Sequence, residues 1–362
     1  MTRITFTVTN DLNHDQRMHK ICSSLQNAGF DVTLVGRKRK NSTPLNPKSF
    51  KQIRLKCYFD KGKLFYIEYN LRLLWYLLFQ KVDVICAIDL DTIVPCALIG
   101  KWKNKKLVYD AHEYFTEVPE VMHRPAVQKI WQWVEKTYVP KMDACYTVSK
   151  SLGTLFQLKY GTVFSVILNV PLLKADAVDI VKDEDKFILY QGALNKGRGL
   201  EILIESVQKL PLKLKIAGEG DLSKSLRDLV AKLGLEAKVI FLGWVSPEEL
   251  DKLTPKAYLG YNLLENLGKS YYFSLSNKFF DYIHACLPGL SNPFPEYEAI
   301  NKEYNTGILT NLSTSEIVLE IKKALNDKIY YEGLRNNCKI ARQVFNWQIE
   351  EKKLIAIYND LR

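Results

Sequence analysis

Two successive α/β domains, each built on a parallel sheet, are what this sequence predicts, and three observations carry the prediction. The chain has 362 residues, too many for one ordinary core and enough for two. Short β-rich runs alternate with helical patterns, the arrangement of βαβ units in a parallel sheet. The alternation pauses over 168–186, at Asn169-Val170-Pro171 and the charged run Lys182-Asp183-Glu184-Asp185-Lys186, and restarts at Phe187. A first domain over 1–172 and a second from 173 follow.

In order, Ile4 to Val8 alternates and reads as a strand. Asp15 to Ala28 reads as a helix with Met18, Ile21, Cys22 and Leu25 on one face, ended by Gly29. Strands are predicted at Asp31–Val35, 52–57, Val82–Ile88 and Lys106–Tyr109, with Ala144–Val148 closing the series. An aromatic stretch runs from Leu64 to Phe79. In the second half, strands at Phe187–Tyr190, Leu212–Ala217, Val239–Leu242 and Tyr258–Leu264 alternate with helices at Gly199–Leu210, Ser223–Leu233 and Pro247–Leu253. A helix over Asn277–Ala285, short strands near Gly289 and 307–309, and helices around 313–326, 329–343 and 347–361 finish the chain.

Composition narrows the function classes. The chain is 47% apolar and 25% charged, as in a soluble globular protein. It opens on a strand pattern, not on a charged start and a long apolar middle, so no leader peptide is expected. No apolar run reaches the roughly 18 residues that a membrane span needs. The seven cysteines are odd in number, widely spaced and without a CxxC pair, which predicts reduced thiols in a cytoplasmic protein. The net charge of +11 lies in the first half: residues 1–172 hold 25 Lys and Arg against 14 Asp and Glu, while 173–362 hold 26 of each. A basic surface suits anionic lipid, acidic substrates or nucleic acid, and no nucleic-acid module accompanies it. Leu64 to Phe79 lies beside these basic segments and is either a core helix or one that lies on a membrane surface.

Candidate chemistry sits where strands feed helices, because open parallel sheets bind ligands beyond their carboxyl ends. Tyr190-Gln191-Gly192-Ala193-Leu194-Asn195-Lys196-Gly197-Arg198-Gly199 is one such junction. Its glycines admit a ligand to the backbone, and Lys196 or Arg198 can reach a phosphate. It fits neither GxGxxG nor GxxxxGK[ST], so a nicotinamide or ATP site finds no support. Gly218-Glu219-Gly220 is a second junction. In the third, Ser274-Leu275-Ser276-Asn277-Lys278 opens a helix whose amides can meet a diphosphate. Asp281, one turn in, can accept from two ribose hydroxyls, or else is a solvent-facing first-turn acid.

The run SLSNKFFDYIHACLPGLSNPFPEY resembles the donor-site signature of GT-B glycosyltransferases of the glycosyltransferase-4 type, also called glycosyl transferases group 1. Tyr190-Gln191-Gly192 through Arg198-Gly199-Leu200-Glu201, Gly218-Glu219-Gly220 and Phe241-Leu242-Gly243-Trp244-Val245 match further landmarks of that family in order and spacing. Phe345-Asn346-Trp347 resembles the segment that crosses back to the first domain. The resemblance implies the GT-B architecture, two Rossmann-like domains facing a central cleft. The donor domain would then span 173–346, and the closing helix, about 347–362, would complete the first domain. It implies a nucleoside diphosphate-sugar bound by Gly192, Lys196, Arg198, Gly218, Ser274, Leu275, Ser276, Asn277, Lys278 and Asp281, with Trp244 by the base. Tyr109-Asp110-Ala111-His112-Glu113 resembles the family's strand-to-His junction, which makes His112, with Arg198 and Asp281, the implied catalytic group. A histidine there can also be satisfied by a neighbouring backbone group. Asn10 and Asp11 stand where the family has its acceptor-side loop, and Asp110 and Glu113 flank His112 on that side.

Two departures stand out. Of the family's paired glutamates, the first falls on Phe273 and the second on Asp281, and a basic residue often found after the loop glycine falls on Ala193. The implied activity is retaining, metal-independent transfer of a sugar to a hydroxyl of a glycan or lipid-linked precursor in cell-surface polysaccharide synthesis. No cofactor, metal or nucleic acid is expected. The place of action would be the cytoplasm, at the inner face of the membrane, with anionic lipid as a partner of the basic first domain. An epimerase or hydrolase of the same fold, or a non-catalytic nucleotide-sugar-binding scaffold, are the rival readings.

Overall fold

A computed structural model describes residues 1–174 and 186–362. Residues 182–185 of the charged run lie outside the described residues. The chain divides into two compact units, Met1–Asn169 with Glu350–Arg362, and Val170–Ile349.

The first unit holds seven strands: β1 (Arg3–Thr7), β2 (Asp31–Lys38), β3 (Lys51–Lys56), β4 (Val84–Ile88), β5 (Lys106–Ala111), β6 (Ala144–Thr147) and β7 (Phe164–Val166). They pair in the order β3-β2-β1-β4-β5-β6-β7, all parallel. The expected series is thus one strand short. β7 has three residues, only Phe164 of them buried, and so short an edge strand leaves almost no periodicity in the sequence. The central strands are apolar on both faces, all five residues of β4 being buried, because helices cover both sides of a parallel sheet.

The second unit holds β8 (Phe187–Gln191), β9 (Lys213–Ala217), β10 (Val239–Gly243), β11 (Leu259–Asn262), β12 (Gly289–Ser291) and β13 (Ile308–Leu309). Their order is β10-β9-β8-β11-β12-β13, parallel throughout. Each sheet therefore reverses its winding once, between β1 and β4 and between β8 and β11. Those reversals are where doubly wound sheets bind ligands.

Local chemistry sets the element ends. Asp15 caps the helix Gln16–Asn27 by accepting from the Met18 amide at 3.1 Å. Ser246 and Glu249 close a capping box on Pro247–Leu253. Leu64 to Phe79 lies in one helix, Gly62–Phe79. The last helix, Trp347–Asn359, begins in the second unit and ends in the first. Within the first unit its Tyr358 packs against Phe6, Phe30 and Tyr146, and its buried Glu350 accepts from the Leu168 amide at 2.9 Å.

Candidate active site

In the second unit three neighbouring strands each end in a glycine with positive φ: Gly192 after β8, Gly218 after β9 and Gly243 closing β10. The Gly192 amide donates to Ala217 O (2.9 Å) and the Gly218 amide to Gly243 O (2.7 Å). A Cβ on Gly218 would lie 1.9 Å from Gly192 O, so the crossing of these backbones requires glycine. The carboxyl edge of the sheet is left bare of side chains there, open to close approach.

Around that edge positive charge collects. Arg198 lies over the Tyr271 ring (5.4 Å), and Lys278 Nζ lies over the Tyr190 ring (4.3 Å). Lys278 is buried. Burial, then the nearby Arg198 charge, pull its pKa down to about 7, against the opposing effect of Asp281. Among the described residues neither cation is in a salt bridge. An anion placed between them would relieve both the desolvation and the repulsion. Lys196 is exposed on the same loop.

Asp281 is half-buried and oriented, not a solvent-facing acid. Gln191 Nε2 donates to its Oδ2 at 3.0 Å, while Gln191 Oε1 accepts from Thr254 Oγ1 at 2.9 Å. Gln191, the last residue of β8, was missed as a site residue. Its place at a strand's carboxyl end beside the reversal was the signal.

The loop before Asn277–His284 departs from expectation. Ser276 stands at the N-cap without capping the helix; its Oγ donates instead to Asn262 Oδ1 at 2.6 Å. The amides expected to face a diphosphate are partly taken. That of Ser276 donates to Tyr297 OH (3.1 Å) and that of Ser274 to Tyr271 O (3.2 Å). Ser274 Oγ also donates to Tyr271 O, and Leu275 is buried. Ser274, Leu275 and Ser276 thus shape the loop through internal bonds. Phe273 packs edge-on against Tyr272. Trp244, just past β10, is 71% exposed.

In the first unit the carboxyl ends of β1, β4 and β5 carry a second cluster. His112 directly follows β5. Its Nε2 lies 2.9 Å from Asp110 Oδ2, its Nδ1 3.7 Å from Asp89 Oδ2, and its amide donates to Asp89 Oδ1 at 2.9 Å. Burial opposes charge on the ring, but Asp110 and Asp89 outweigh it and raise the pKa to about 9. Arg17 Nε also donates to His112 Nε2, at 3.0 Å, so the ring sits between two carboxylates and a guanidinium. Arg17 Nη2 reaches Asp110 Oδ1 at 3.1 Å and Nη1 donates to Ile167 O at 3.2 Å. Burial pushes Asp89 up to about 7 and Asp91 to about 6, the latter accepting from Thr9 Oγ1 at 2.5 Å. The histidine is held by carboxylates, not satisfied by a backbone group.

Two of the acceptor-side residues are already partnered. Asp110 is fully buried and paired with Arg17, so it can act only through His112. Asp11 is occupied by Arg54, at 3.1 Å, and by Ser42, and braces the chain over 42–54. Asn10 and Glu113 remain at the surface. Asp89, Asp91 and Arg17 were missed. Two acids straight after a fully apolar strand, in Ile88-Asp89-Leu90-Asp91, were the available signal.

Two Rossmann-like units with parallel sheets, each with polar groups at its winding reversal, define the GT-B fold class. Residues 16–169 match the family model described as Glycosyltransferase Family 4, and residues 174–264 that of Glycosyl transferases group 1. Together the two matches cover most of the chain, which belongs to this family of glycosyltransferases. Among solved structures it is similar to sucrose-phosphate synthase from Thermosynechococcus elongatus (TM-score 0.79, 16% identity, 100% of this chain and 99% of that one). It is also similar to Anabaena HepE in complex with UDP and glucose (TM-score 0.77, 14% identity, 99% and 100% covered). An uncharacterised glycosyltransferase of Methanocaldococcus jannaschii is 42% identical over 81 residues, 21% of each chain. An N-acetylgalactosaminyltransferase of Campylobacter jejuni, named for a diphospho-undecaprenol-linked substrate, is 43% identical over 70 residues, 19% of each. The match thus spans about a fifth of the length of these curated relatives.

Proposed function

We propose that the protein transfers a sugar from a nucleoside diphosphate-sugar to an acceptor hydroxyl, with retention at the anomeric carbon and without a metal. The observation that carries this reading is the pair Arg198 and Lys278 at the carboxyl end of β8, which form no salt bridge among the described residues, beside an Asp281 oriented by Gln191. In the reaction the bond from the anomeric carbon to the diphosphate oxygen breaks, with its electron pair leaving on the phosphate. A bond to the acceptor oxygen forms on the same face as the hydroxyl proton passes to that departing phosphate oxygen. Negative charge grows on the departing phosphate, and fixed positive groups stabilise it most where water is excluded. Arg198 and Lys278 fill that role, supported by the uncapped start of Asn277–His284. Asp281 accepts from the ribose and Trp244 stacks on the base, while the family resemblance assigns His112 to the sugar.

The UDP and UDP-glucose complexes of HepE favour a uridine donor. The name of the Campylobacter relative favours a lipid-linked acceptor; we place that acceptor in a cell-surface glycan pathway, met at the inner face of the membrane. The rival reading of a silent scaffold draws on Phe273, which stands where the family has an acid. An epimerase or hydrolase would release or alter sugar without acceptor, whereas a transferase releases nucleotide only when acceptor is added.

Thermal unfolding with UDP, GDP, ADP and their sugars, with and without EDTA, tests the donor site. A ligand at 100 times its Kd stabilises by about 2.7 kcal/mol. One nucleotide should raise Tm, the rise should survive EDTA, and Asp281→Ala should abolish most of it. No rise with any nucleotide would overturn the donor assignment.

A further inference from the structure

The helix Gly62–Phe79 is apolar on faces where a soluble helix is polar. Phe65, Tyr69, Leu73 and Leu77 are buried and account for its packing. Leu64, Ile67, Leu71, Trp75 and Phe79 recur at helical spacing on the opposite side and are 55% to 71% exposed. Trp75 and Phe79 stack on each other at 5.8 Å. A helix that is apolar all round belongs inside a core or in contact with lipid; this one has a core on one side only.

Its neighbours extend the surface. Ile93–Lys103 packs beside it, and Pro125–Tyr138 packs beside that helix in turn. Tyr66 and Trp131 join the first and third helices edge to face at 5.7 Å. All three cross over between strands laid down in one direction, β3 to β4 to β5 to β6. Right-handed crossovers therefore place them on one face of the sheet. Leu98 and Trp102 of the second helix and Ile130 and Trp133 of the third are also at least half exposed. Isolated exposed apolar residues are ordinary, but a shared run across adjacent helices is a contact surface.

The charge around it selects the occupant. Segments 61–81, 93–106 and 125–138 hold ten Lys and Arg against two Glu. One of those acids, Glu135, is buried and paired with Lys159 at 2.9 Å. Lys61, Lys63, Lys81, Lys101 and Lys106 are exposed. A protein partner or a second copy of this chain would have to match a strongly basic rim, and a second copy would repel it. Exposed tryptophans with lysines at their margin suit the boundary between acyl chains and anionic headgroups.

We propose that this three-helix face docks on an anionic bilayer surface, with Leu64, Ile67, Leu71, Trp75 and Phe79 entering the headgroup layer and the lysines meeting lipid phosphates. The proposal deepens the reading of a lipid-linked acceptor and rests on it for its purpose. Its test reads vesicle binding alone, so either can fail without the other.

The full chain would be floated with vesicles of phosphatidylcholine, or of phosphatidylcholine mixed with phosphatidylglycerol, at low and high salt. Binding should require the anionic lipid and weaken with salt. Trp75→Ser with Phe79→Ser should reduce partitioning at least tenfold, and each of Lys81→Glu and Lys101→Glu by roughly five-fold. These residues are exposed, and a far-UV circular dichroism spectrum and Tm equal to those of the parent verify the folded state. Absence of anionic-vesicle binding at low salt would overturn the proposal. So would binding unchanged in the variants, or a dimer in solution that Trp75→Ser dissociates.

Discussion

Lys278 shows how one residue's surroundings become a measurable property. Its amine is buried beside Arg198, with a pKa near 7 in the free protein, so above neutral pH it is largely uncharged. A bound diphosphate favours the ammonium form and must raise that pKa. Nucleotide binding at pH 8 should therefore take up a proton, seen as a buffer-dependent enthalpy in titration calorimetry. Affinity should fall by up to about tenfold per pH unit above 7, until the pKa of the complex is reached. Lys278→Met should abolish the uptake. Uptake that persists in that variant would assign the proton elsewhere. His112 contrasts with it: Asp110 and Asp89 push its pKa up, where burial and Arg198 pull that of Lys278 down.

At the scale of elements, the ends of the strands matter more than their middles. Gly218 has φ +150, and a Cβ there would collide with Gly192 O. Gly234 also has positive φ (+66), but nothing lies within 4 Å of a Cβ there. The two separate backbone strain from steric conflict. Gly234→Ala should cost about 1–2 kcal/mol in urea unfolding. Gly218→Ala should cost clearly more and weaken nucleotide binding as well, because β8 and β9 must part where the donor loop begins. Equal losses would show that the strand ends separate freely. The sequence made these glycine turns legible as junctions, but not which glycine is sterically obligatory. That depends on how closely two strands 26 residues apart in sequence cross. Helix Gly62–Phe79 is a similar case: its composition favoured a core helix over one on a surface, and burial divides it into a packed face and an exposed one.

For the whole molecule, the closing helix is the test of how the first unit is completed. Tyr358 is fully buried among Phe6, Phe30 and Tyr146. Tyr358→Ala should destabilise by about 3–5 kcal/mol, the range for large aromatic deletions. The loss should appear in the transition of the first unit, with nucleotide stabilisation of the second retained. Calorimetry with and without nucleotide separates the two. A single unaltered transition would mean that the helix contributes little to either unit.

By itself the sequence determined the number of domains, the alternation of strand and helix and the positions of the strand-to-helix junctions. These follow from local periodicity and from residues such as glycine, whose conformational range is intrinsic. The donor motif also carried the family, because its residue types are needed at short spacing. What only the tertiary structure decided is which polar groups are already spent. Asp11 and Asp110 were candidates by position, yet Arg54 and Arg17, 43 and 93 residues away, claim them. Gln191 orients Asp281 across 90 residues, and Asp89 and Asp110 together push up the pKa of His112. A side chain's protonation and freedom depend on neighbours brought by other elements, and no local pattern encodes those neighbours.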